Sequence, residues 1–184
     1  MNTSSTTRTA PVARPLRDEA ADYYHKYIDQ VGDGDIVEIL ARQEGELLAL
    51  LKPVSEDASL HRYGEGKWSI REVLGHINDT ERLFSFRALC FGRGLDAPLP
   101  SFDQDIAAAA MAADSRSLSS HIDEFRSLRA ATVALFRYLP EEAWLRRGEA
   151  SGYEVTVRAL AYILAGHLEH HSRILKERYL PQVG

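Results

Sequence analysis

Three of the seven histidines fall in one short run, GHLEHH, over residues 166–171. On an α-helix each residue turns by 100°, so His167 and His171 lie one turn apart, inside an apolar stripe of Leu160, Leu164, Leu168 and Leu175. His170 falls at the edge of that stripe. Two imidazoles on a buried face must each find partners for their ring nitrogens. An i,i+4 pair is the spacing at which two rings on one helix face share a tetrahedral ion. The alternative is a pair of core histidines bonded to backbone or carboxylates. A third ligand has to come from another helix, and His76 borders the apolar stripe Val73, Ile77, Phe84, Phe91. Gly75 beside it permits close helix approach. Three neutral imidazoles and a water form an open tetrahedral site, the catalytic pattern rather than the structural one. His121 sits in a first helical turn beside polar residues and reads as solvated surface. His25 and His61 lie outside the bundle helices and receive no role.

Other polar residues share the helix of His76. Asp79 and Thr80 flank its direction and both can approach the site. Asp79 is the candidate catalytic group, as a general base or as the carboxylate that holds a ligand imidazole; its alternative is a helix-surface carboxylate. Glu81 points across the stripe, toward an arginine of a neighbouring helix. Arg87 lies on the His76 side but ~16 Å along the axis, too far to touch the ion. It is the candidate binding residue, for a substrate carboxylate at a cavity mouth, or else a partner in an ion pair. Cys90 is farther still and reads as a small core residue. Trp68 and Tyr63, just before the helix, read as packing.

The elements that must position these groups are helices. Asp35-Ile-Val-Glu38 and Ser69-Ile-Arg-Glu72 are capping boxes. They open helices that Pro53 and Gly92-Arg93-Gly94 end. In the first, the stripe from Ile36 to Leu51 is broken only by Gln43. A third helix runs from Ser117 to Leu139, with Leu128 or Arg129 in its stripe, and a fourth from Thr156 to about Tyr179. A short helix is expected over 103–112, and a short helix or aromatic arm over 18–29, where Tyr23, Tyr24 and Tyr27 cluster. No β alternation is evident. The expected fold is all-α: a four-helix bundle with short extra helices. The domain spans residues 16–184, and residues 1–15 form a disordered tail of Ser, Thr and Pro.

The chain has 184 residues, 22 basic and 27 acidic, for a net charge of −5. That balance argues against nucleic acid or an anionic membrane as partner. The single cysteine excludes an intramolecular disulfide and a cysteine-based zinc cluster. No apolar run approaches the ~20 residues of a membrane span. The N-terminal segment has no signal-peptide core and only superficially resembles a transit peptide, so a cytoplasmic location is expected. The clustered tyrosines either cover their own core or form the contact of a homodimer.

Two stretches, GKWSIREVLGHINDTERLFSFRALCFGRG (66–94) and TVRALAYILAGHLEHHSRIL (156–175), resemble the DinB-like (YfiT-like) metalloenzyme family. The resemblance covers most of residues 35–180. It implies a bundle with up-down-down-up connections, which the loop-rich stretch 95–115 accommodates. It also implies a divalent metal, zinc or nickel, on His76, His167 and His171. Some relatives transfer a small-molecule substrate to a low-molecular-weight thiol or use one to isomerise it; many have no assigned reaction. A non-enzymatic metal-binding stress-response module and a metal-dependent hydrolase stay open beside that reading. One departure is Ala159, where an acidic residue three after the Thr156 cap is expected; this loses a capping box and not a ligand.

Overall fold

The computed structural model describes residues 11–183. Helix α1 (Asp22–Ile28) leads into the four long helices, α2 (Ile36–Leu51), α3 (Ile70–Gly92), α5 (Leu118–Arg137) and α6 (Val157–Ile174). Short α4 (Gln104–Ala110) lies in the long connection between α3 and α5. The caps behave as their chemistry requires. Ser69 and Glu72 complete a reciprocal box at α3, whereas Asp35 caps α2 alone and Glu38 reaches Arg137 instead. α6 continues through a π-helical turn at Leu175–Tyr179 into a last helical turn at Leu180–Val183.

Directions follow from paired contacts. Asn78 meets the His121 carbonyl, Arg82 meets Glu124, and Leu89 shares a groove with Leu135, so α3 and α5 run the same way. Glu38 pairs with Arg137 and Glu44 with Arg126, so α2 opposes α5. His76 near the start of α3 meets His167 and His171 near the end of α6, so those two are antiparallel. The bundle is therefore up-down-down-up, and two parallel neighbours demand the long α3–α5 crossover.

At its centre lies a polar cluster built from all four long helices. The Arg129 guanidinium on α5 donates to Glu81 Oε2 on α3 at 2.9 Å and to Gln43 Oε1 on α2 at 3.1 Å. Gln43 Nε2 in turn donates to the Ala165 carbonyl on α6 at 2.9 Å. Gln43 interrupts the apolar stripe because it belongs to this cluster, and Glu81 has the arginine partner expected of it. Arg129 and Glu81 are 1% and 2% exposed, so neither charge has water to fall back on.

Three expectations need correction. Residues 147–156 form a β-hairpin, β1 (Arg147–Ala150) antiparallel to β2 (Tyr153–Thr156). Its two-residue turn, Ser151-Gly152, has φ of +57° and +79°, the geometry that matches the twist of a tight hairpin. His121 is buried, with Nε2 against the Ala113 carbonyl at 3.0 Å, so it fastens the crossover and is not solvated. Gly75 faces that same crossover, at the end of α4, and not one of the four long helices: a Cβ there would lie 2.3 Å from Met111 Sδ. Of the segment 1–15, residues 1–10 lie outside the described residues. Within 11–15, Arg14 donates to the Ile28 and Val31 carbonyls, Val12 packs against the core, and Pro15 is buried.

α1 lies along α6 with Tyr27 and Ile28 buried, so the tyrosine cluster partly covers its own bundle, while Tyr23 stays exposed. Just before α1, buried Glu19 accepts from Thr156 Oγ1 at 2.8 Å and from the Arg158 guanidinium. Among the described residues no helix is long and apolar enough to cross a membrane.

Two outcomes follow. Arg129→Ala leaves Glu81 buried and unpaired, and should cost about 3–5 kcal/mol in urea unfolding; a loss under ~1 kcal/mol would remove the cluster from the fold's energetics. For Glu19, burial opposes ionisation, yet the bonds from Arg158, the Leu16 N–H and Thr156 prevail and hold its pKa at about 2. A carboxyl depressed in the folded state stabilises above its unfolded pKa, and that contribution fades as pH falls from ~4.5 toward 2. Glu19→Gln should therefore lose roughly 2 kcal/mol at pH 7 and little at pH 2.5 in parallel urea titrations.

Candidate metal centre

The three histidines selected by helical phase meet at one point. His76, His167 and His171 are all buried, and their ligating nitrogens lie within 4.8 Å of one another. His76 Nε2 is 3.0 Å from His167 Nε2, and His171 Nε2 is 3.1 Å from it. Around a tetrahedral zinc with Zn–N bonds of ~2.0–2.1 Å, neighbouring nitrogens lie ~3.3 Å apart. The two spacings from His167 are within a few tenths of an ångström of that. His170 is not part of the group; its ring packs against Tyr27 at 5.4 Å.

Hydrogen bonding decides which atoms carry lone pairs. The Thr80 hydroxyl sits 2.7 Å from the His76 carbonyl and 3.0 Å from that of Ile77, where it donates its proton. Its oxygen is then free to accept from His167 Nδ1, 3.3 Å away. With the proton on Nδ1, His167 Nε2 holds a lone pair aimed at two other ring nitrogens. One lone pair cannot serve both. A cation that accepts all three lone pairs removes the conflict, so the donor set fits a divalent ion.

Burial keeps the imidazoles neutral. It pushes His76 down to about 4 and His171 down to about 3, with neighbouring imidazoles adding repulsion. His167 is held well below the ordinary imidazole value by the same burial and by the charges His171 and His76 would carry. The Trp68 ring lies 4.9 Å from that of His76, and Tyr27 stands edge-on to His167 at 5.3 Å. Gly166 admits this wall: a Cβ there would lie 2.0 Å from the Tyr27 carbonyl oxygen.

The remaining candidates separate. Asp79 turns toward α5. It is 3.7 Å from Arg82, and burial raises its carboxyl against the pull of that arginine. No described contact joins it to the histidines; Thr80, its neighbour on the other flank of His76, touches His167 instead. Arg87 does not reach the histidines either, but lines a cavity of about 230 Å³ that Thr80 and His167 also line. Cys90 is buried and free. A larger groove, about 500 Å³ between α2 and the end of α6, includes none of the three histidines. Sequence reasoning missed Thr80 as the imidazole's partner and Ser151 as part of the cavity. The Ser-Gly dipeptide was the one signal for the latter.

The DinB superfamily model matches residues 39–175. Among solved structures, YfiT from Bacillus subtilis, described as a probable metal-dependent hydrolase with an unusual four-helix bundle topology, superposes with a TM-score of 0.68 at 17% identity, covering 93% of each chain. At that identity the likeness concerns the fold. None of the curated proteins compared with the chain matches it.

Metal analysis by native mass spectrometry should find about one divalent ion per chain. Alanine at His76, His167 or His171 should empty the site, and alanine at His170 should not. Thr80→Val should leave the helix content intact and weaken the ion by about 10- to 100-fold in competition with a chromogenic chelator. Unchanged affinity would mean that the hydroxyl does not orient His167.

Proposed function

From the premise that the chain belongs to the DinB superfamily, we propose that it is a metal-dependent enzyme. In this reading His76, His167 and His171 hold a zinc or nickel ion, and a low-molecular-weight thiol supplies the nucleophile for a transferase or isomerase reaction. One observation carries the reading. Three neutral imidazoles converge, one of them, His167, lines a cavity together with three tyrosines and Arg87, and no fourth His, Cys, Asp or Glu joins the three among the described residues. A site closed by a fourth protein ligand would favour a structural ion.

Held on three neutral ligands, a divalent ion keeps its full charge and lowers the pKa of a thiol or water that joins it. The chain's own residues supply the rest. Thr80 fixes the tautomer of His167. Trp68 and Tyr27 exclude water from the ligand faces and so strengthen electrostatics there. Burial keeps protons off the three nitrogens. The chain's one cysteine does not stand beside the triad: Cys90 lies ~21 Å from His76 along α3, and the Thr80 hydroxyl there is committed to the backbone carbonyls of α3. The nucleophile therefore arrives from outside.

A second reading, a metal-dependent hydrolase using water, draws on the description of YfiT. The two part on one measurement. Turnover of electrophilic substrates should require an added small thiol and should vanish on chelation. Equal turnover without thiol favours the hydrolase, and turnover by metal-free protein overturns both. The chelated protein should stay folded by circular dichroism, because two apolar clusters support the bundle without the ion.

A further inference from the structure

The buried arginines of this fold do not share one environment. Arg71 pairs with Glu56 and Arg129 with Glu81. Arg87 is 3% exposed, yet no carboxylate pairs with it among the described residues. Its guanidinium donates to two neutral acceptors, the Pro100 carbonyl and Ser151 Oγ, both at 2.9 Å. Its Nε is buried with no partner at all. A desolvated cation satisfied only by neutral groups is costly to keep, and an anion is what it lacks.

The surroundings specify that anion. Arg87 lines the same cavity as His167, and no Asp, Glu or Lys lines it. Along α3 the cavity meets Thr80, Phe84 and Arg87 at successive turns, so the hydroxyl that holds His167 and the guanidinium are ~10 Å apart on the axis. Phe84 and Tyr24 lie between, their rings edge-to-face at 5.8 Å. The hairpin tip and the crossover close the Arg87 end, where Leu99 bonds to Glu149 and Ser151 through the backbone.

We propose that Arg87 and Ser151 form an anion subsite for the carboxylate of a small substrate with an apolar, preferably aromatic, body whose reactive end faces the histidines. The direction of the reactive end rests on the metal-enzyme reading above; the carboxylate subsite does not, and so is tested apart from the ion. A carboxylate accepts two parallel hydrogen bonds from a guanidinium, which a neutral amide cannot reproduce. The cavity's volume of about 230 Å³ suits a small acid better than a peptide thiol.

The test compares 3-phenylpropanoate with 3-phenylpropanamide by titration calorimetry, on chelated and on zinc-loaded protein. Chelated wild type should bind the acid at least ~10-fold tighter than the amide, a preference of the size a charge-assisted pair supplies. Arg87→Met should bring the ratio near one, and Arg87→Lys should keep part of it. Equal affinities on chelated wild type overturn the subsite, as does no detectable binding of either ligand at millimolar concentration. A preference that appears only with zinc and survives Arg87→Met assigns the carboxylate to the ion, which overturns the subsite and leaves the metal reading standing. Preference on a protein that takes up no zinc supports the subsite while the metal reading fails. Should Arg87→Met not fold, the wild-type ratio and Arg87→Lys still decide. Tighter binding of glutathione than of the aryl acid would overturn the assignment to the substrate.

Discussion

The buried ion pair between Arg129 and Glu81, extended by Gln43 to the Ala165 carbonyl, is the constraint that fixes the rest of the bundle. Apolar stripes drive helices together but tolerate sliding by a turn, because leucine against leucine packs in more than one register. A cluster that joins side chains of three helices to a carbonyl of the fourth does not tolerate it, since any slip strands a charge away from water. Two residues beyond Ala165 stands His167, and five before Glu81 stands His76. The cluster that sets helix register therefore also sets how closely the imidazoles of α3 and α6 approach.

The site repeats the same physics with the opposite sign. At the centre, opposite charges pair and so endure burial. At the histidines, three neutral groups are buried with their ring nitrogens directed at each other, and the one lone pair of His167 Nε2 cannot serve both neighbours. Thr80 makes it directional by spending its proton on the α3 backbone and offering its oxygen to His167. The unfavourable packing of donor atoms is what makes the location receptive to a cation.

Much of this was legible in the sequence because it depends on periodicity. Helical phase separates His171 from His170 and places His76 at the edge of its stripe, and the capping residues mark where α3 and α6 begin. What periodicity cannot supply is the identity of the neighbour on each side. Asp79 and Thr80 fall on opposite sides of His76 on a helical wheel; α5 lies beyond one and α6 beyond the other, and only the assembled bundle assigns them. His121 looked solvated because its neighbours on the helix are polar, yet the crossover lies over it. The hairpin was hidden by its length: two four-residue strands leave too few positions for an alternating pattern.

The docking of α1 on α6 has an evolutionary corollary. The contact at Gly166 is made by a carbonyl oxygen of the arm, so it depends on the absence of a side chain on α6 and not on which side chain the arm carries. The arm also precedes the segment that the superfamily shares. Tyr23 and Tyr24, which wall the cavity without touching the histidines, can thus be exchanged with less disturbance to the helices that hold the imidazoles than Tyr27, whose ring packs on His167. Such a division lets descendants of one scaffold diverge in what they admit while inheriting the same inner chemistry, with the glycine held on α6 by steric need beside the two histidines held there by their lone pairs.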